Sequence, residues 1–254
     1  MKTLRLLLSG LLFSGLLPAP ALQASAGLRS AWPDARQLVL VTIPEWNSHD
    51  GVLHTFERTD AGWQPALAAT PVSIGRAGAA WGIGLHEPQP GPRKREGDGR
   101  SPAGVFALGT AFGYAQSVRT GLPYAAMDAA HWCIDVAGSP LYNRIVDARE
   151  VGAAAVAGST EPMRLDLHAA GDQRYALGFV IEHNARGEAG AGSCIFAHLW
   201  GEPGQATAGC TAMAQPAMRE LLEWLDARRH PVFVLLPESE YERLETGWSL
   251  PRLP

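Results

Sequence analysis

His198 and Cys210 are the side chains whose types and spacing suit nucleophilic chemistry. His198 ends the apolar run Cys194-Ile195-Phe196-Ala197, and Cys210 follows within Thr207-Ala208-Gly209-Cys210-Thr211-Ala212-Met213. An ordinary thiol, with a pKa of about 8.5, is only a few per cent ionised near neutrality, so a nucleophilic cysteine needs an activating neighbour. His198 would serve as general base, or pair with the thiolate as imidazolium, if folding brings it within about 3–4 Å. Met218, Leu221, Leu222 and Leu225 recur at helical spacing and predict an amphipathic helix from about Ala214 to Arg229, beginning just after Cys210. Peptide N–H groups at that helix start would favour the thiolate. Gly209 allows close backbone approach, so the amides of Ala208, Gly209 and Cys210 are the expected oxyanion donors. The competing reading is a buried structural cysteine and an unrelated histidine at a strand end.

The elements that must position this pair read as short strands punctuated by Gly and Pro. Gln37–Thr42, Val52–Glu57, Val105–Leu108, Ala176–Ile181, Cys194–His198 and Pro231–Leu236 are the strand candidates, with turns at His49-Asp50-Gly51 and Thr59-Asp60-Ala61-Gly62. No internal repeat or low-complexity linker divides the chain. The expected fold is mainly β with a few helices: one sandwich or barrel-like domain over residues 37–236, the Ala214–Arg229 helix packed on it, and a C-terminal tail over 237–254.

Lys2 and Arg5 precede an apolar core, Leu6 to Leu17, too short to span a bilayer comfortably, and Ala24-Ser25-Ala26 fits a cleavage site. Residues 1–26 therefore read as a secretory signal peptide, with an uncleaved anchor as the alternative. No cysteine near the cleavage site suggests lipoprotein processing. The full chain carries 21 basic and 25 acidic residues, a formal charge of −4, and losing Lys2 and Arg5 makes the remainder more acidic. Such a charge argues against nonspecific binding to nucleic acid or anionic lipid. The basic run Arg93-Lys94-Arg95 reads as a solvated loop, with contact to an anionic substrate group as the alternative. In an oxidising compartment Cys133 and Cys194 are candidates for a disulfide that leaves Cys210 free; two buried thiols are the other arrangement.

The segment from His198 to Cys210, with Gly97-Asp98-Gly99-Arg100-Ser101-Pro102-Ala103-Gly104-Val105-Phe106, resembles the L,D-transpeptidase catalytic (YkuD) family of bacterial cell-wall enzymes. It is most similar to the branch whose active-site segment reads "HLW…PTAGC(T/V)AM". Ile74-Gly75-Arg76, Trp81-Gly82 and Tyr142-Asn143-Arg144-Ile145-Val146-Asp147 recur in the same order, so the resemblance covers about Gln37 to Leu236. It implies a mostly β fold in the periplasm or cell envelope. Cys210, matching the family nucleophile, would attack the amide between meso-diaminopimelate and D-alanine of a peptidoglycan stem peptide; His198 would match its catalytic histidine. The thioester would pass to an amine. The commoner family pattern has His-Gly-Cys at the nucleophile, whereas Ala208 stands here. That departure leaves the balance between transfer and hydrolysis open, so a peptidoglycan carboxypeptidase or endopeptidase is the nearest alternative and a catalytically silent wall-binding module the third.

Weaker candidates for substrate contact are Arg144, suited to hold a carboxylate through a bidentate contact; His183, after a predicted strand; and Thr207 beside the nucleophile. A loop-fixing ion pair for Arg144 and a structural hydrogen bond for His183 are the alternatives; His86 has a similar balance. Cys194, His198 and Cys210 are legitimate zinc ligands, yet no Cys-x2-Cys or His-Glu-x-x-His spacing accompanies them, so no metal is expected. No Walker loop or dinucleotide fingerprint occurs, and no cofactor is implied. The expected partners are peptidoglycan stem peptides, with no stable membrane insertion after signal cleavage.

Overall fold

Two runs of consecutive apolar residues, one near each end of the chain, lie side by side at the centre of the molecule. In the computed structural model, which describes residues 32–253, they form β1 (Gln37–Ile43) and β14 (Val232–Pro237), paired in parallel with Leu38 opposite Val232 and Leu40 opposite Val234. All seven residues of β1 and all six of β14 are buried, as expected of strands covered on both faces. The expected signal peptide, residues 1–26, lies outside the described residues.

Between them run β2 (Asp50–Thr59), β3 (Gly62–Pro65), β4 (Thr70–Ser73), β5 (Ala79–Trp81), β6 (Ser101–Gly113), β7 (Tyr124–Ala126), β8 (His131–Cys133), β9 (Ile145–Asp147), β10 (Glu161–Pro162), β11 (Leu177–Ile181), β12 (Phe196–Leu199) and β13 (Thr211–Met213). Neighbours follow the order β1-β14-β6-β11-β12-β13-β4-β2, and β2 pairs back onto β1. The eight strands thus close a barrel, resolving the sandwich-or-barrel expectation and leaving no open edge among them. A small second sheet, β10-β8-β9, stands beside it.

The helices are α1 (Ala148–Val151), α2 (Ala153–Val156), α3 (Leu165–His168), α4 (Gln215–Trp224) and α5 (Glu238–Trp248). Helix α4 buries Met218, Leu221 and Leu222, the face its spacing predicts, and it begins at Gln215 with Ala214 as N-cap, where expected, but three strand residues of the barrel, Thr211–Met213, separate it from Cys210. It also stops five residues before Arg229, where tertiary partners capture its last carbonyls: Gln37 Nε2 donates to Trp224 O at 2.7 Å and Gly121 N–H to Leu225 O at 2.9 Å. Only a 3-10 turn, Ala227–Arg229, continues.

The expected C-terminal tail is likewise corrected. Residues 238–248 form α5, which packs on β14 and β1, burying Tyr241 and Leu244. The Tyr241 hydroxyl donates to Pro251 O at 2.7 Å, so the chain beyond the helix is also fastened down. Among the described residues, no helix is long and apolar enough to cross a membrane.

Candidate active site

His198 and Cys210 come to line one cavity because β12 and β13 are parallel neighbours. His198 pairs with Ala212 and Ala197 with Thr211, which puts Cys210, one residue before β13, beside Phe196. Side chains alternate along a strand, so Cys210 lies on the same sheet face as His198, diagonally across adjacent strands. The connection between them, residues 200–210, is short for a parallel crossover, and hydrogen bonds from neighbouring elements hold it. Ser73 Oγ donates to Gln205 O at 2.6 Å and accepts from Trp200 Nε1 at 2.6 Å. Thr207 N–H donates to Ile74 O at 2.8 Å, Arg76 N–H to Thr207 O at 2.9 Å, and Ser101 Oγ to Gly209 O at 2.7 Å. Gly75 permits this closeness: a Cβ there would stand 2.4 Å from Gly99 O.

Cys210 and His198 line one cavity of about 290 Å³ with Arg76, Lys94, Glu96, Asp135, Glu161, Arg174, Tyr175 and the Thr207–Gly209 loop. The thiol is 9% exposed; it accepts a hydrogen bond from Phe196 N–H at 3.4 Å and donates to Cys194 O at 3.5 Å. Burial pushes its pKa up to about 12, the Glu161 carboxylate adds to the rise, and Phe196 N–H, Lys94 and Arg174 pull the other way. Burial likewise lowers His198 to about 4. Its Nδ1 lies 2.7 Å from Leu199 O, which fixes the Nδ1–H tautomer and leaves Nε2 with a free lone pair. The ring of Tyr175 packs edge-on against it, centroids 5.3 Å apart. The resting pair is therefore a neutral thiol and a neutral, oriented imidazole. Burial thus disfavours the thiolate–imidazolium alternative, and the thiol hydrogen is directed at Cys194 O.

Several expectations change. The start of α4 does not follow Cys210 directly: three strand residues carry the chain about 10 Å further before the helix begins, so the expected α4 dipole is displaced from the thiol. Gly209 N–H donates to Thr207 Oγ1 at 3.1 Å, which removes it from the proposed oxyanion set and leaves Ala208 and Cys210. Thr207 Oγ1 donates to Cys210 O at 2.7 Å, so Thr207 fixes the backbone at Cys210 and has no hydroxyl proton left for a ligand. His183 is buried and fully occupied: Ile83 N–H donates to its Nδ1 at 3.1 Å, and its Nε2 lies 2.9 Å from Ala191 O. It is a structural residue held neutral, burial lowering it to about 4. His86 Nδ1 similarly accepts from Val105 N–H at 3.0 Å. Arg144 is exposed and lines a separate hollow with Ile145 and Asp147, away from Cys210. In its motif the working residue is Asn143, whose Oδ1 accepts from Cys194 N–H at 2.8 Å and whose Nδ2 donates to His183 O and Asn184 O.

Cys133 on β8 and Cys194 before β12 are joined by a disulfide, Cα–Cα 6.0 Å, while Cys210 is free. The bridge fastens the small sheet over the cavity, and with it Glu161. That carboxylate accepts from the Tyr175 hydroxyl, and burial raises its pKa to about 7. Lys94, read from sequence as part of a solvated loop, is buried against the cavity and donates to Asp98 at 2.6 Å and to Arg95 O at 2.6 Å. Sequence reasoning missed Glu161, Tyr175, Arg174 and Arg76 as cavity residues; Arg76 carried the one available signal, standing in the recurring Ile74-Gly75-Arg76 motif.

Comparison with family models, with curated proteins and with solved structures finds no match for this chain.

Proposed function

We propose that this protein is a cysteine acyltransferase of the L,D-transpeptidase type, acting on peptidoglycan stem peptides in the periplasm. The observation that carries the reading is the pair itself: Cys210 and His198 share one cavity from adjacent parallel strands, and Leu199 O holds the imidazole with Nε2 unprotonated. The thiol proton passes to Nε2 as Sγ adds to the amide carbonyl carbon between meso-diaminopimelate and D-alanine. The amides of Ala208 and Cys210 are the remaining backbone donors near the oxyanion. His198 then returns the proton to the departing amine, the C–N bond breaks, and a thioester is left on Cys210. An acceptor amine gives its proton to His198 while attacking the thioester, which regenerates the thiol and forms the new amide.

A second reading keeps both residues and uses water as acceptor, making a carboxypeptidase or endopeptidase. The six charged side chains around the cavity favour its hydration, which is the observation behind that reading. The disulfide and the N-terminal leader sequence support an oxidising compartment outside the cytoplasm. A silent wall-binding module would have no need for an oriented base beside a free thiol. Mass spectrometry of products from tetrapeptide muropeptides and a free D-amino acid, with Cys210→Ala as control, separates the readings. Cross-linked dimers or exchanged stems that need Cys210 are the expected result; tripeptides alone would give the hydrolase, and no Cys210-dependent product would sink both.

A further inference from the structure

The cavity around Cys210 holds three cations and three carboxylates, and the charges are not equally available. Lys94 is neutralised by Asp98 at 2.6 Å, and Arg174 by Asp172, with Arg174 Nε donating at 2.7 Å. Glu96 accepts from Tyr142 and Ser193, Asp135 from Ser159 and Thr160, and Glu161 from Tyr175. The Arg76 guanidinium has no hydrogen bond or ion pair among the described residues. Among the residues lining the cavity, an entering anion finds its uncommitted counter-charge at Arg76 alone.

The position of Arg76 is built. Its backbone N–H donates to Thr207 O at 2.9 Å, which ties it to the loop that carries the nucleophile. Its guanidinium lies over Gly99, where a Cβ would come within 3.1 Å of Cζ and 3.2 Å of Nε. Gly99 has φ +69°, a conformation that glycine adopts without strain. Asp98 organises that turn by accepting from Arg95 N–H at 2.8 Å and Arg100 N–H at 2.9 Å. The loop thus provides a bare backbone patch for the guanidinium to rest on, beside Cys210.

We infer that Arg76 binds a carboxylate of the acyl donor and so sets the direction in which the donor peptide lies across Cys210. This inference rests on the acyl-transfer reading above. The planar guanidinium would take the carboxylate through two parallel N–H···O contacts, which a lysine at the same place would not reproduce. A stem tetrapeptide offers such a group at two places, the α-carboxylate of the leaving residue and the free carboxylate of the diamino acid, and amidated donors distinguish them.

The test measures binding of three tetrapeptides to full-length mature protein carrying Cys210→Ala, so that nothing turns over: one with both carboxylates free, one amidated at the leaving residue, one amidated at the diamino acid. Adding Arg76→Gln should weaken the free donor by about 10- to 100-fold, Arg76→Lys should recover only part of it, and one amidated donor should bind both proteins alike. Equal losses for all three donors, an unchanged affinity for the free donor, or no binding of any donor would overturn the inference. Turnover by the protein with Cys210 intact is scored separately. Cys210-dependent product with unaltered binding in Arg76→Gln rejects Arg76 alone, whereas no product despite Arg76-dependent binding rejects the acyl-transfer reading.

Discussion

The described residues form two buried apolar clusters of different character. The larger runs from Trp32 to Leu250, is made of aliphatic and aromatic side chains from β1, β6, β14, α4 and α5, and contains no cysteine. The smaller gathers Phe112, Met127, Cys133, Met163, Leu165, Tyr175, Cys194, Phe196 and Cys210, and so takes in all three cysteines of the chain. The first lies among the barrel strands and the helices α4 and α5. The second borders a charged cavity, and its members carry a thiol, a disulfide and a phenol hydrogen-bonded to a carboxylate. The larger cluster has many more buried apolar members, so on the proposed function stability and reactivity would be lodged in separate places.

This division is broken most visibly by Cys210→Ala, which should abolish Cys210-dependent product while changing stability by only about 1 kcal/mol, read from product analysis beside a urea melt. The reverse dissociation is expected of Phe233→Ala in the larger cluster. Truncating that fully buried ring should lower the unfolding free energy by about 3–5 kcal/mol, yet the fraction that remains folded should alkylate at Cys210 at the normal rate. A parallel loss of reactivity would show that the clusters are not separable. Removing the bridge with Cys133→Ala and Cys194→Ala together should cost about 2–4 kcal/mol and also weaken donor binding, because the small sheet that carries Glu161 loses its covalent tie.

The smallest effect sharpens the picture within the cavity. Glu161→Gln removes a negative charge that helps hold the thiol pKa up, so iodoacetamide should modify Cys210 several-fold faster at pH 8; an unchanged or slower rate would contradict the electrostatic assignment. The same variant has a stability signature. Folded Glu161 is raised from 4.5 to about 7, so between those values the native state holds a proton that the unfolded chain has released. Stability from this group therefore falls as pH rises through that window, and Glu161→Gln should gain on the wild type between pH 5 and pH 8. His198, lowered to about 4 from 6.5, works in the other direction and weakens the fold as pH drops through its own window. Melting temperatures of both proteins across pH 4–8 check the two signs.

What the sequence made legible follows from how local each signal is. Strand β14 is an unbroken apolar run and β1 is mostly apolar, and the buried face of α4 shows in its spacing. His198 and Cys210 stand out because one short segment carries both. By contrast, Thr211–Met213 has too few residues to display a period, so the strand between Cys210 and α4 does not show in the sequence. Helix α5 hides behind its charged residues, with only Tyr241 and Leu244 fully turned inward. Glu161, Arg174 and Arg76 acquire their meaning only when barrel closure and the disulfide bring distant segments together. Arg144 misled for the opposite reason: a motif marks a segment, not the direction in which each side chain points.

The pairing of β1 with β14 also governs when this protein can exist as a folded object. β14 lies between β1 and β6, so a chain halted before Val232 has two unsatisfied strand edges facing a gap where a stave is missing. Closure joins residues separated by nearly the whole described chain, a contact of the slowest kind to form. Until the last strand is made, the polypeptide stays open and threadable, and assembly of the Cys210 cavity waits on residues some twenty positions after the cysteine itself.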